Sequence, residues 1–434
     1  MLLTFKTKNF KSFKEELVFS MTPARYQTGL DFSILKQNIG KKEIKALSSA
    51  VIYGPNAAGK TNIISAMDVL RSIVLRGNIK NSDLVTTPNF ASSALELIPN
   101  CDTVNMPTEF SISFSEMNRL IEYKLVILLG NFLEKDFNRK IVKEQLLING
   151  KDIFIRDNNE LIISINNLIT NNSDSNNSET VSEIAKNSLS EQELFLCNGF
   201  KTIFSKELVS IIQNWFENKF IVICGSNALE TYRKLADPQN NSICVEKTLT
   251  NAAKEFGITA NALGYISHKD DVQLYSFLEK HNKGLALPAK MFESYGTIRF
   301  INEFPLVLRT LMTGATLVMD EFDASIHPMA LMNIINIFHN DEINTRKAQL
   351  IFNTHNPIFL DASLFRRDEI KFVEKDEVLN SSVHYSLSDF KTASGIRKGE
   401  DYMNNYFINR YGAIKDVDFS AIIKSVLDSN KGDC

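Results

Sequence analysis

The chain has 434 residues, with 48 Lys+Arg against 51 Asp+Glu for a net charge of −3, and it is 44% hydrophobic and 23% charged. So even a balance argues against a protein that binds nucleic acid over its whole surface, leaving at most a local basic groove. The apolar share excludes disorder over most of the length and supplies a full core for two or three domains, or for one large domain with an insertion.

The first strand is expected at Leu2–Lys6, followed by a turn through Asn9-Phe10-Lys11-Ser12-Phe13. Ala50–Tyr53 is a short apolar run that ends at Gly54 and reads as a buried strand. Ile63, Ile64, Met67, Leu70 and Ile73 then recur at helical spacing, predicting a helix over Asn62–Leu75. From Glu109 to Ile155 the pattern becomes that of antiparallel strands: Phe110, Ile112 and Phe114 alternate with serines, and Asn149-Gly150 is a hairpin turn signal. Asn171–Ser178 has no apolar side chain and reads as a surface loop or linker. Glu191–Lys219 carries helical spacing without a sustained heptad repeat, so a long coiled-coil arm is not expected. The organisation predicted is 1–156, 157–283 as a mostly helical insertion, and 284–434.

Five cysteines, none in a CxxC pair, fit reduced thiols better than a disulfide framework or zinc cluster. No apolar run approaches 18 residues, and the opening MLLTFKTKNF is too soon charged for a signal peptide. A cytoplasmic protein without membrane contact is expected.

Gly54-Pro55-Asn56-Ala57-Ala58-Gly59-Lys60-Thr61 satisfies GxxxxGK[ST], and Asn62 follows it. Glycines let successive backbone N–H groups turn toward phosphate oxygens. Lys60 brings a positive charge to the β- and γ-phosphates, the Thr61 hydroxyl is placed for Mg²⁺, and the helix that follows points its dipole at the anion. A chance match in a chain of this length is on the order of one per cent, and this one falls between a predicted strand and a predicted helix.

An acidic group belongs beside such a loop. Thr316–Met319 is a strand ending in Asp320-Glu321, where Asp320 would hold Mg²⁺ and Glu321 would orient and deprotonate the attacking water. A strand Gln349–Asn353 then ends in Thr354-His355, placing His355 to meet the γ-phosphate or the water. His327, in Ala324-Ser325-Ile326-His327-Pro328, either lines the nucleotide interface or ends a loop before Pro328. Upstream, Ser294-Tyr295-Gly296-Thr297 opens a helix that should end at Gly314 and be kinked or split at Pro305. That turn is either an anion site or a plain cap made by Ser294 or Thr297.

The order of these segments resembles the ATP-binding-cassette (ABC) head family that includes the SMC-like chromosome-maintenance proteins, RecF-type repair proteins and OLD-type ATPases. The resemblance implies an α/β fold: a P-loop ABC-type ATPase head with a mixed sheet, an antiparallel β lobe and a mostly helical insertion. It implies Walker A at Gly54–Thr61, a signature at Ser294, Tyr295 and Gly296, Walker B at Leu317–Glu321, a D-loop at Ala324, Ser325 and His327, and a switch histidine at His355. The signature reads Ser-Tyr-Gly-Thr in place of LSGGQ, and no glutamine is assigned to the Q-loop. A nearer resemblance is to the compact phage-defence ATPases of the AbiLi/RloC/PtuA-like group, with the AriA-type ATPases of PARIS defence close by. It is carried by Asn9–Phe13, GPNAAGKTN, ESYGTIRF, DEFDASIHP, QLIFNTHN and YFINRYGAI.

What this resemblance implies is ATP and Mg²⁺ as ligands and slow hydrolysis. It also implies a homo-oligomer in which two heads enclose ATP and the signature completes the site of another copy. The chain would be a regulator in abortive-infection defence, controlling a separate, nuclease-like effector. The alternative is a RecF/SMC-like DNA-binding ATPase of repair. Nucleic-acid contacts would come from Lys6, Lys8, Lys11 and Lys14, or from Arg366 and Arg367, unless these are solvated positive faces. Two acidic pairs, Asp368-Glu369 and Asp416-Val417-Asp418, are read as surface turns rather than a nuclease centre.

Overall fold

The computed structural model describes residues 1–80, 97–129, 139–158, 160–164, 178–187, 189–224, 251–252, 254–255, 262–268, 271–280, 283–324, 326–376, 378–390, 399–415 and 418–429. Two sheets enclose one helix. The first is antiparallel, of order β10-β9-β8-β7-β6-β1-β2. Its strands are β1 (Leu2–Lys8), β2 (Leu17–Ser20), β6 (Thr108–Glu116), β7 (Arg119–Leu128), β8 (Lys140–Ile148), β9 (Lys151–Asp157) and β10 (Glu160–Ile163). Period-2 alternation sends Phe110, Ile112, Phe114, Ile121, Tyr123, Leu125 and Ile127 into the core. Asn149 (φ 52°) and Gly150 (φ 76°) make the tight turn from β8 to β9, because two successive positive φ angles match the twist of a hairpin.

The second sheet has the order β11-β15-β16-β5-β17-β18. Its strands are β5 (Ser49–Tyr53), β11 (Phe220–Ile223), β15 (Thr316–Met319), β16 (Gln349–Asn353), β17 (Ile370–Asp376) and β18 (Ser381–Ser386). The first five run parallel and β18 is antiparallel at the edge. Helix α1 (Lys60–Arg76) lies between the sheets, so Ile63, Ile64, Met67, Leu70 and Ile73 share one core with Phe114 and Tyr123 on one side and Ile52, Val318 and Ile351 on the other. Being covered on both faces is why the parallel strands read as unbroken apolar runs. The opposite face carries Val51, Leu317, Leu350 and Phe352 against Ile301, Val307, Leu331 and Ile335.

Smaller elements complete the chain. A hairpin joins β3 (Ile34–Ile39) to β4 (Lys42–Leu47), and a three-stranded antiparallel sheet comprises β12 (Ala262–His268), β13 (Asp271–Lys280) and β14 (Lys283–Pro288). The helices after α1 are α2 (Ser178–Asn187), α3 (Lys206–Asn214), α4 (Ala289–Phe292), α5 (Tyr295–Thr313), α6 (Pro328–Phe338), α7 (Tyr402–Phe407) and α8 (Ser420–Ser429), with a single helical turn at Lys201–Ile203.

Several expectations are amended. Among the described residues of 157–283, helix occurs within 178–219 and at 251–252 and 254–255, while Phe220–Ile223 joins the central sheet and β12–β14 form a sheet of their own. Glu191–Lys219 is not one helix: π-helical turns at Leu196–Phe200 and Trp215–Lys219 flank α3, which Ser205 starts by accepting the Leu208 N–H. Pro305 does not split α5, since Phe300, Ile301, Leu306 and Val307 bury the helix on both sides of it. Arg366 (4% exposed), Arg367 (8%), Asp368 (2%) and Glu369 (0%) are neither a positive face nor a surface turn. Arg366 pairs with Asp368 at 2.9 Å, Glu369 takes the Ser49 hydroxyl at 2.9 Å, and Arg367 donates to the Leu387 and Phe390 carbonyls, so each charged side chain finds a partner inside the protein. Residues 171–177 of the expected loop and residues 416–417 of the acidic triplet lie outside the described residues, and Asp418 Oδ1 accepts the Ser420 N–H at the start of α8.

Candidate nucleotide-binding site

The P-loop is the turn between β5 and α1. Gly54 and Gly59 are both confined: a Cβ on Gly54 would collide with the Val373 carbonyl, and one on Gly59 (φ 112°) would stand 2.6 Å from Ser382 Oγ and 2.7 Å from Ser12 Oγ. Ser12 is in turn bonded by Asn62 Nδ2 at 2.7 Å, and Ser382 Oγ donates to the Ala58 carbonyl at 2.5 Å. Ala57 adopts φ 62°, a left-handed value unusual for a residue with a Cβ. Pro55 is half-buried and Asn56 exposed, while Ala58, Gly59 and Lys60 are buried.

Lys60 folds back on its own loop, donating to the Gly54 carbonyl at 2.7 Å and the Pro55 carbonyl at 3.0 Å. Burial lowers its ammonium from the usual lysine range to about 8, against the pull of Asp320 and Glu321. The next residue reaches across to the second motif: Thr61 Oγ1 donates to Asp320 Oδ1 at 3.1 Å. A hydroxyl and a carboxylate beside a phosphate-sized turn are the oxygen donors that Mg²⁺ selects, with phosphate and water oxygens filling the rest of its shell.

Asn353, the last residue of β16, organises this edge. Its Nδ2 donates to Asp320 Oδ1 at 2.5 Å and its Oδ1 accepts the Glu321 N–H at 2.5 Å. Glu321 is exposed and held at φ 51°. Thr354 bonds Asp323 at 2.6 Å, which leaves His355 exposed on the same side. Burial and the nearby Lys60 charge lower the His355 imidazole below its ordinary value, although Glu321, Asp323 and Asp320 act the other way. Asn56, Ala57, Gly59, Lys60, Thr61, Asn62, Glu321, Asn353 and His355 line one cleft. The parallel order makes this necessary: β5, β16 and β15 are neighbours, so their C-terminal ends open at one edge.

Residues 49–361 match the model of a family described as "AAA domain, putative AbiEii toxin, Type IV TA system". The chain belongs to this family. It is therefore an AAA/ABC-like P-loop ATPase domain of a kind linked to abortive-infection and toxin–antitoxin systems. The match begins at the first residue of β5 and runs past His355, which covers more than half of the chain and the whole cleft described above. No curated protein matches the chain.

Within the ATPase domain, the remaining predicted residues lie on other elements. Ser294 caps α5, accepting the Thr297 N–H at 3.1 Å, and Gly314 closes it with its N–H on the Thr310 carbonyl. Ser294 and Tyr295 are exposed, Tyr295 to 67%, and Gly296 is half-buried. His327 is also exposed, and its Nδ1 accepts the Met329 N–H at 3.3 Å, so it caps α6. Ala324 is half-buried with its N–H on the Glu321 carbonyl, and Ser325 lies outside the described residues. The signature turn is absent from the lining of this copy's cleft.

The sequence reading missed Asn353, Ser12 and Ser382. For Asn353 a signal exists, a polar residue closing an apolar strand one position before Thr-His. For Ser12 and Ser382 none does, because they reach the loop only through the fold. Among the described residues no group of three or more His, Cys, Asp or Glu side chains could hold a further metal ion, and no helix is long and apolar enough to cross a membrane.

Proposed function

We propose that the chain hydrolyses ATP to ADP and phosphate, and that this reaction sets the state of an abortive-infection system. The observation carrying this reading is the pairing of a P-loop with Asp320 and Glu321 through Thr61 and Asn353 in one cleft. On binding, Lys60 exchanges two loop carbonyls for the β- and γ-phosphate oxygens, and the loop N–H groups take the remaining oxygens. Thr61 and Asp320 would hold Mg²⁺, which when bound neutralises charge on the phosphates. Glu321 accepts a proton from the attacking water as its oxygen bonds to the γ-phosphorus and the bond to the β–γ bridging oxygen breaks. His355, kept neutral by the shift described above, orients the water or a γ-oxygen by hydrogen bonding.

Ser294, Tyr295 and Gly296 act in this reading on the nucleotide of a second copy. The exposure of Ser294 and Tyr295 and the absence of all three from the lining of their own cleft support it. The homo-oligomer would then be ATP-dependent, with a separate nuclease-like effector as its target, as in the AbiLi/RloC/PtuA-like group. A DNA-repair role has less support: Arg366 and Arg367 are buried, Lys11 bonds Ser65 at 2.8 Å, and Lys14 lies 3.9 Å from Asp102.

The test is Glu321→Gln protein mixed with ATP and Mg²⁺. Expected are loss of hydrolysis and a larger assembly in solution. A monomer that hydrolyses ATP as the unaltered protein does would refute both the base and the shared site.

A further inference from the structure

Glu321 is gripped from two sides. Its N–H is held by Asn353 on β16, and its carbonyl accepts Arg299 Nη2 at 2.5 Å from α5. It adopts φ 51°, and a residue with a side chain stays in that region only where its surroundings fix it. Arg299 is itself aimed: its Nε donates to Glu303 Oε1 at 2.7 Å, one helical turn along.

That contact is difficult to explain as a stabiliser of α5. A helical pair at this spacing contributes little even when exposed. Here Glu303 is 1% exposed, and its second carboxylate oxygen has no hydrogen-bond partner among the described residues. Taking a carboxyl with an unpartnered oxygen out of water costs more than one such contact returns, and an apolar side chain at 303 would suit the interior better. Burial pushes the Glu303 carboxyl up to about 8, which records the same cost. The arrangement makes sense if Glu303 fixes the direction of the guanidinium.

We propose that Arg299 is a positioning residue for ATP hydrolysis. It holds the Glu321 carbonyl from the helix that begins at Tyr295, and so fixes where the Glu321 carboxylate points. This rests on the reading of Glu321 as the base. The planar fork of arginine reaches Glu303 and Glu321 together, which the single ammonium of a lysine does not reproduce.

The test uses the full chain with Arg299→Ala and Arg299→Lys. Loss of aim at a reacting group costs up to about 100-fold. Arg299→Ala is therefore expected to lower kcat about 10- to 100-fold while the KM for ATP stays within about twofold, because the P-loop is untouched. Amide exchange in the 320–324 segment should quicken at least about tenfold as the clamp opens. Arg299→Lys should lose at least about fivefold in kcat with an unchanged melting temperature, since lysine keeps the helical contact with Glu303 but not the fork. It also carries the test if the alanine variant does not fold. Unchanged kcat in folded variants, or unchanged exchange at the 320–324 segment, would overturn the proposal while the ATPase reading stands. Absence of hydrolysis by the unaltered protein would overturn both.

Discussion

Lys60 offers a direct way to watch the nucleotide arrive. With 6% of its surface exposed and its ammonium on two carbonyls, it stands at about 8 instead of the usual 10.5, chiefly because of burial. A bound triphosphate places several negative charges against it and returns it to the ordinary lysine range. The sign follows from linkage: above its free-state value Lys60 is neutral and must take up a proton on binding, so affinity falls as pH rises. Each pH unit above about 8 should weaken ATP binding about tenfold, or about 1.4 kcal/mol. Between about pH 7.5 and about pH 9.5 the loss should reach about 30-fold, with a flat region below about pH 8. The assay is an equilibrium titration of a fluorescent ATP analogue with Mg²⁺ across that window. Lys60→Arg, which stays charged throughout, should bind more weakly but without the slope. A flat profile for the unaltered protein, or an equal slope in Lys60→Arg, would refute the argument.

Asn353→Ala removes two hydrogen bonds, one to a carboxylate, and orphans the Glu321 N–H, at about 1–3 kcal/mol for each polar group left unpaired. A kcat lowered about 100-fold with nearly unchanged ATP affinity is expected in steady-state kinetics. Gly59→Ala should abolish nucleotide binding in calorimetry, since its new methyl meets Ser382 Oγ at 2.6 Å and Ser12 Oγ at 2.7 Å. Because the folded protein raises Glu303 from 4.5 to about 8, it holds a proton there that the unfolded chain releases, so stability falls as pH rises through that interval. The neutral, isosteric Glu303→Gln should lose that part of the decline, and a melting curve for Glu303→Gln as pH-dependent as that of the unaltered protein would count against it.

What could be read directly from the chain was local. The turn of glycines between β5 and α1, the Asn149-Gly150 hairpin, the Ser294 cap and the Gly314 stop are set by the φ angles and hydrogen bonds of a few consecutive residues. Helical spacing was a weaker guide. It marked Glu191–Lys219 without revealing that Ser205 and two π-helical turns divide it, or that α5 continues through Pro305.

Burial and partnership were decided elsewhere. Arg366 looked like a surface cation, yet it is enclosed by the Gly29 and Gln27 carbonyls and by Asp368. Asn353 looked like the polar end of a strand, yet its amide joins Asp320 to Glu321, more than thirty residues earlier. Ser12 and Ser382 stand against the same P-loop from opposite ends of the chain. A sequence of this kind fixes what each segment can offer a phosphate, because backbone turns and charges are local properties. Only the stacking of parallel strands around α1 brings those offers to one edge, since hydrogen bonding and desolvation depend on which distant groups share the space.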